Sequence, residues 1–412
     1  MSRKTYQILT AIFLFVLVFS ISFTQASAKP GKLNSSTAKW TFMVYMDADN
    51  NLDPFANIDM EEMMKIGSTK DVNIIVLCDR LEEPAYIYKI EKGKCVLPEG
   101  SPINGIEVDM GDPEIVETFL NYVIENFPAE HYFLDIWNHG NDFVGSCVDE
   151  NTGTGERGYL YHYELVEALQ SVYDKTEVMI DILSFDACLQ GMIEVAYYYK
   201  DLVSYLVGSE GYVALEGYPY DEILEQLVNS PDIDADAFAK IVVDEYVGYY
   251  VKENMAATRG SFPTLSAIDL EKLDQLVENL SRFLRTLERD INSYLGAITA
   301  GRGKGILPWA EYGWEAYIDL YTFVETVGIS SQNDKLRNIA EALLNSIESA
   351  VYANSSLQLE EMSVHGLGIY FPSSESAMYH NPLLDGEYYA EVPFATETEW
   401  LNFLSMYYSH CS

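Results

Sequence analysis

Short apolar runs that alternate with amphipathic stretches place the tightest constraint on what this chain can fold into. "KWTFMVYMDADNN" (39–51) is an apolar run that ends in turn formers. "VNIIVLCD" (72–79), "AYIYKIEKG" (85–93), "HYFLDIWNHG" (131–140), "EVMIDILSFDA" (177–187) and "LVSYLVGSE" (202–210) read as further strands. Helical stretches separate several of them: Pro113–Asn126, "YHYELVEALQSVYD" (161–174) and "CLQGMIEVAYYYKD" (188–201). Continuous apolar strands alternating with helices predict an α/β fold with a mainly parallel central sheet covered on both faces. Past Tyr220 helices dominate, at Asp221–Val228, Ala235–Lys252, Leu270–Leu295 and Gln332–Tyr352. A strand is expected at His365–Pro372 and a closing helix over 397–410. No linker composition divides the chain, so the reading is a core over 40–220 and a helix-rich region over 221–412 packed on the same sheet.

In parallel sheets of this kind, functional groups gather beyond the carboxyl ends of the strands. Two reactive side chains fall there: His139 in "IWNHG" and Cys188 in "SFDACLQG". A helix beginning at Cys188–Leu189 puts the thiol in its first turn, where unsatisfied N–H groups and the helix dipole favour a thiolate. An imidazole across the cleft can take the thiol proton and return it to a leaving amine. Gly140 has no side chain, so its N–H can pair with that of Cys188 as an oxyanion hole. The competing reading is a buried structural cysteine. G-x-S-x-G and H-E-x-x-H are both absent from the sequence.

These residues resemble a known family. "YMDADNNLD", "IWNHG", "SFDACLQGMIEVAY", "SEGYVALEGYPYDEIL" and "GLGIYFP" are similar, in order, to segments of the clostripain family of cysteine peptidases. That family shares a caspase-like α/β/α sandwich with caspases, legumains and gingipains. The resemblance implies Cys188 as nucleophile, His139 as its partner, and cleavage after Arg or Lys from an acidic S1 pocket. Asp186 matches the S1 aspartate, and a carboxylate pairs with a guanidinium through two charge-assisted hydrogen bonds; helix capping is its alternative role. Glu216 falls where many relatives carry a second S1 acid, here one methylene longer. Relatives are often zymogens cut in the loop after the histidine, and in "NDFVGSCVDENTGTGERG" the one basic residue is Arg157, which implies self-cleavage between Arg157 and Gly158. His365-Gly366 is a second His-Gly pair, but it precedes its strand and is read as a decoy. Asn50 and Asn51 are expected to brace loops beside the site. A catalytically silent or purely self-processing relative, acting as a binding or surface protein, is the second function class. Cleavage after aspartate is disfavoured by Coulomb repulsion from an acidic pocket.

The N-terminus sets the compartment. Arg3 and Lys4, the apolar run Ile8–Phe23 and Ala26-Ser27-Ala28 form a signal-peptide pattern, with cleavage expected after Ala28 and a membrane anchor as the alternative. Residues 29–39 read as a tail. A secreted protein, not membrane-bound after signal removal, and a monomer are expected. The net charge of −39 repels nucleic acid and anionic membranes and is compatible with cationic partners. Five cysteines, Cys78, Cys95, Cys147, Cys188 and Cys411, leave at least one unpaired, and three connectivities are open if four pair. "DADNNLDPFANID" (47–59) is not an EF-hand, because position 6 is Leu52 and position 12 is Ile58. Some members of the resembled family need calcium, and this acidic chain is a candidate to bind it, with no ligands assigned. No cofactor is needed for the chemistry itself.

Overall fold

Strand β1 (Ala38–Ala48) shows how an unbroken apolar run builds two cores at once. Side chains alternate across a strand. Met43 and Tyr45 enter the core on one face of the sheet, and Trp40, Phe42, Val44 and Met46 enter the core on the other. The computed structural model describes residues 37–154, 158–252, 263–307, 316–356, 364–375 and 389–411. The expected signal peptide and Arg157 lie outside them. Ala38 and Lys39, expected in the tail, belong to β1.

The strands that follow are β2 (Val72–Arg80), β3 (Glu83–Glu91), β4 (Lys94–Val96), β5 (Asn104–Ile106) and β6 (Ala129–Trp137). After β6 come β7 (Gly140–Asn141), β8 (Gly145–Asp149), β9 (Gly158–Tyr161), β10 (Ile180–Asp186) and β11 (Val203–Gly208). The second half adds β12 (Thr264–Asp269), β13 (Tyr317–Asp319), β14 (Val351–Ser356) and β15 (Gly368–Tyr370). The main sheet runs β14-β12-β11-β10-β6-β1-β2-β3-β4, with β5 paired to β3. Its centre, β11-β10-β6-β1-β2, is parallel throughout, and antiparallel strands close both edges. The result is the expected α/β/α sandwich. Residues beyond 220 contribute β12 and β14 to the sheet itself.

Helix α1 (Asp53–Ile66), α5 (Tyr220–Asn229) and α6 (Ala235–Lys252) bury their apolar residues in one core. The other core takes those of α2 (Pro113–Asn126), α3 (His162–Thr176), α4 (Ile193–Tyr199) and α7 (Leu273–Glu288).

Three expectations need correction. The helix over 270–295 is broken: a 3-10 turn (Leu270–Lys272) precedes α7, and a second helix (Ile291–Gly305) follows, after Asp290. The loop expected over 141–158 contributes, in its described residues, to a small three-stranded sheet β7-β8-β9, in which Gly158 is buried. The third correction concerns the helix after Cys188. It begins only at Ile193. Cys188 and Leu189 form a turn, and the segment is held by two neighbours instead: Leu189 N–H donates to Gly211 O at 2.7 Å, Gly191 N–H to Ser209 O at 2.7 Å, and Met192 bridges Gly368. Those cross-chain bonds satisfy the backbone groups that an early helix would otherwise pair internally.

Candidate active site

The register of β6 on β10 sets Trp137 opposite Asp186. His139 and Cys188 therefore leave adjacent parallel strands two residues beyond one paired position. Both line a small cavity of about 60 Å³, together with Leu52, Trp137, Asp186, Val213 and Gly217. No lysine or arginine is among the lining residues.

Sharp backbone turns aim the two residues. Leu189 adopts the left-handed conformation at φ 60°, and Asn138 anchors the turn before His139. Its side-chain amide donates to Asp47 O at 2.7 Å and Asp47 Oδ2 at 2.5 Å, and its Oδ1 accepts from the His139 N–H. His139 Nε2 lies 2.9 Å from Asn51 Oδ1. An amide oxygen only accepts, so Nε2 carries the proton and Nδ1 is the basic nitrogen of the neutral ring. Asn51 was expected as a loop brace; it also contacts the histidine. Asn50 does brace, with its Nδ2 donating to Val148 O at 2.8 Å.

Gly140 packs directly on the Cys188 backbone. A Cβ built at position 140 would lie 2.1 Å from Cys188 O and 2.8 Å from Cys188 N, a space only glycine leaves open. The thiol points toward Val213 O at 4.0 Å. Burial pushes it up to about 11, and the nearby Asp186 charge adds to the shift. This corrects the thiolate expected from a helix N-terminus: α4 starts five residues too late to help. All five cysteines are free.

Beneath the thiol lies a buried acidic floor. Asp186 Oδ2 accepts from Tyr218 N–H at 2.9 Å and sits 3.2 Å from Tyr220 Oη. Tyr220 Oη also reaches Asp135 Oδ2 at 2.6 Å, so one hydroxyl bridges two carboxyl groups. Asp59, buried, accepts from Trp137 Nε1 at 2.7 Å, and Glu62 accepts from Tyr220 N–H at 3.0 Å. Desolvation holds Asp186 and Asp59 well above the usual carboxylate range, Coulomb repulsion within the group adds to it, and burial pushes Asp135 to about 6 and Glu62 to about 7. Sequence reading found only Asp186. Asp135 and Asp59 read as ordinary strand and helix residues, and no local pattern marks them.

Glu216 is half-buried between two cavity-lining residues, Leu215 and Gly217, and is not itself among the lining groups. Gly217, at φ 61°, is pressed against the acid instead: a Cβ there would lie 2.6 Å from Asp186 Oδ2. Tyr250 Oη donates to Gly217 O at 2.7 Å and Tyr246 Oη accepts from Ala214 N–H at 3.3 Å, so α6 braces the 213–217 segment. His365 pairs with Asp319 at 3.0 Å, stacks on Tyr321 and does not line the cavity.

The family model for the clostripain family, Peptidase C11, matches residues 44–407. The chain belongs to the clostripain family of cysteine peptidases. Clostripain from Hathewaya histolytica is 27% identical, over 92% of this chain and 82% of that protein. A secreted C11 cysteine protease from Bacteroides thetaiotaomicron shares the fold with TM-score 0.65 at 18% identity, covering 89% of this chain and 99% of that one. An inactive zymogen C11 protease from Parabacteroides distasonis superposes with TM-score 0.62 at 19% identity, covering 88% and 99%. This clostripain-family member is thus a hydrolase acting on peptide or protein substrates. The described residues of the clostripain-family chain contain no helix long and apolar enough to cross a membrane.

Proposed function

We propose that the chain is a secreted endopeptidase that cleaves after arginine or lysine through Cys188 and His139. The acidic floor carries this reading: Asp186 lines the same cavity as both residues, and Asp135, Asp59 and Glu62 crowd it with carboxyl groups whose mutual repulsion an entering cation would relieve. A guanidinium or ammonium entering there gains charge-assisted hydrogen bonds and relieves carboxylate repulsion. An anionic side chain would meet the opposite field.

In the reaction, His139 Nδ1 takes the Cys188 proton as Sγ attacks the scissile carbonyl carbon. The N–H groups of Gly140 and Cys188 receive the developing oxyanion. The imidazolium then protonates the leaving amine, giving a thioester. Water, deprotonated by His139, hydrolyses the thioester and regenerates the thiol. Every step uses groups of the chain; calcium, if bound, has a structural role.

The cavity is narrow as it stands, and the reading includes an outward movement of the 213–217 segment to admit an arginine side chain. A zymogen activated by cleavage between Arg157 and Gly158 accounts for this closed form. Gly158 is the buried first residue of β9, so that cut requires the strand end to peel open. A signal peptide ending near Ala28, a monomeric state and a secondary S1 role for Glu216 complete the reading.

Fluorogenic peptides with arginine, lysine and aspartate at P1 test it, on wild type and Asp186→Asn. Wild type should cleave the basic substrates only, and Asp186→Asn should lose about 1.5–3 kcal/mol in kcat/KM for arginine. Equal rates for aspartate, or no change in the variant, would refute the assignment. Expression of Cys188→Ala beside wild type tests processing: only the active form should yield the cut at Arg157.

A further inference from the structure

We propose that Gln190 is a positioning residue for peptide cleavage: its buried amide clamps the turn that carries Cys188 to the turn that carries His139 and Gly140. The proposal rests on the Cys188–His139 assignment and names what holds that pair in place. Gln190 follows the thiol by two residues in "DACLQG". Its side chain is fully buried, and Nε2 donates to Cys188 O at 3.1 Å and to Asp142 O at 3.3 Å. One amide thus ties together two loops that leave different strands.

Both loops need such a tie. Leu189 at φ 60° and Asp142 at φ 48° adopt the left-handed conformation. Residues with a Cβ keep it only where the surroundings hold them there. Cys188 O is also the atom that a Cβ at position 140 would meet at 2.1 Å. A carbonyl free to turn at that point would push the Cys188 backbone against Gly140 and displace the two N–H groups assigned to the oxyanion.

The amide is fixed at its root and at its tip. At the root, Gly191 N–H donates to Ser209 O at 2.7 Å, and a Cβ at Gly208 would lie 2.7 Å from Gln190 C. At the tip, Asp142 O also lies 2.8 Å from His162 Nε2, while His162 Nδ1 lies 2.6 Å from Tyr199 Oη. A carbonyl only accepts, so Nε2 carries the proton and Nδ1 accepts from the Tyr199 hydroxyl. Burial pushes His162 down to about 4, which keeps the ring neutral in this tautomer at neutral pH. His162 opens α3 and Tyr199 closes α4. A buried hydrogen-bonded chain therefore runs from the helix layer through His162, Asp142 and Gln190 to Cys188, and a satisfied chain of this kind is rigid. Neither Gln190 nor His162 lines the catalytic cavity, so both act through the turns they hold.

The test separates positioning from plain stability. Gln190→Met keeps the side-chain length and removes the donor. Assayed with arginine-P1 peptides, in the same processing state as wild type by mass spectrometry, it should lose about ten- to hundredfold in kcat with KM within about twofold. Thr41→Val is the stability control, since it deletes a buried hydroxyl bonded to Phe127 O at 2.7 Å, at the opposite end of β1. It should lower Tm and leave kcat unchanged. Tyr199→Phe should lower kcat by about fivefold and add nothing to Gln190→Met, because both cut one chain. If Gln190→Met does not fold, Tyr199→Phe decides by itself. The proposal is overturned by an unchanged kcat in either variant, by a loss confined to KM, by an equal kcat loss in Thr41→Val, or by additive losses in the double variant. Wild-type cleavage that survives Cys188→Ala would sink the Cys188–His139 assignment, and the clamp's role with it. Cleavage that needs Cys188 but ignores Gln190→Met would sink the clamp alone.

Discussion

Trp137 and Asp186 face each other as Cα partners across β6 and β10. Trp137 leads in two residues to His139, and Asp186 leads in two residues to Cys188. Parallel pairing therefore delivers His139 and Cys188 to one cavity, which the Asp186 carboxyl group also lines. The same pair joins pocket and sheet a second way, since Trp137 Nε1 holds Asp59, an acid whose charge acts on Asp186.

Asn51 Oδ1 lies 2.9 Å from His139 Nε2, and this contact gives a kinetic prediction. Asn51→Ala should lower kcat by about tenfold with KM nearly unchanged, a fraction of what acid–base catalysis contributes. Asn51→Asp places a carboxylate at the ring and stabilises imidazolium, so the acidic limb of the kcat/KM profile should move to higher pH. A profile that does not move would show that Asn51 only props the loop.

Gly140 leaves no room for a methyl group. Gly140→Ala should push the Cys188 backbone aside and cost about 10²–10³ in kcat, the scale of a lost oxyanion donor. Circular dichroism should stay native while steady-state rates fall. Retained activity would remove Gly140 from the oxyanion hole.

The buried thiol of Cys188 is pushed up to about 11. Unprocessed protein should therefore react slowly with iodoacetamide at pH 7, with a rate that still climbs between pH 8 and 10. A plateau near pH 7 would mean a stabilised thiolate. Mass-spectrometric labelling of Cys188 against pH measures this directly.

Stability should fall as pH rises. Burial pushes Glu62 and Glu194 to about 7 and Asp135 to about 6, above the roughly 4 of an unfolded carboxylate. Between those values the folded form binds more protons than the unfolded one, so the stabilisation present below pH 4 is lost as pH climbs through 6 and 7. Scanning calorimetry in metal-free buffer should give a lower Tm at pH 8 than at pH 5. A Tm that is flat or rising over this range would contradict it.

The sequence by itself determined the sandwich and the two reactive residues. A parallel sheet buried on both faces needs strands apolar throughout, and such runs are legible one at a time, as are His139 and Cys188 at their ends. Tertiary structure decided what depends on distant segments meeting. Cross-chain bonds to Gly211 and Ser209 postponed the helix after Cys188, where local periodicity favoured an earlier start. Asp135 and Asp59 join Asp186 only because β6 pairs with β10 and α1 brings Asp59 to Trp137. Gln190 and His162 meet at Asp142 O from separate segments, where no local pattern marks either one. Periodicity reports which face a residue takes, while burial and charge depend on which strangers in the chain stand opposite.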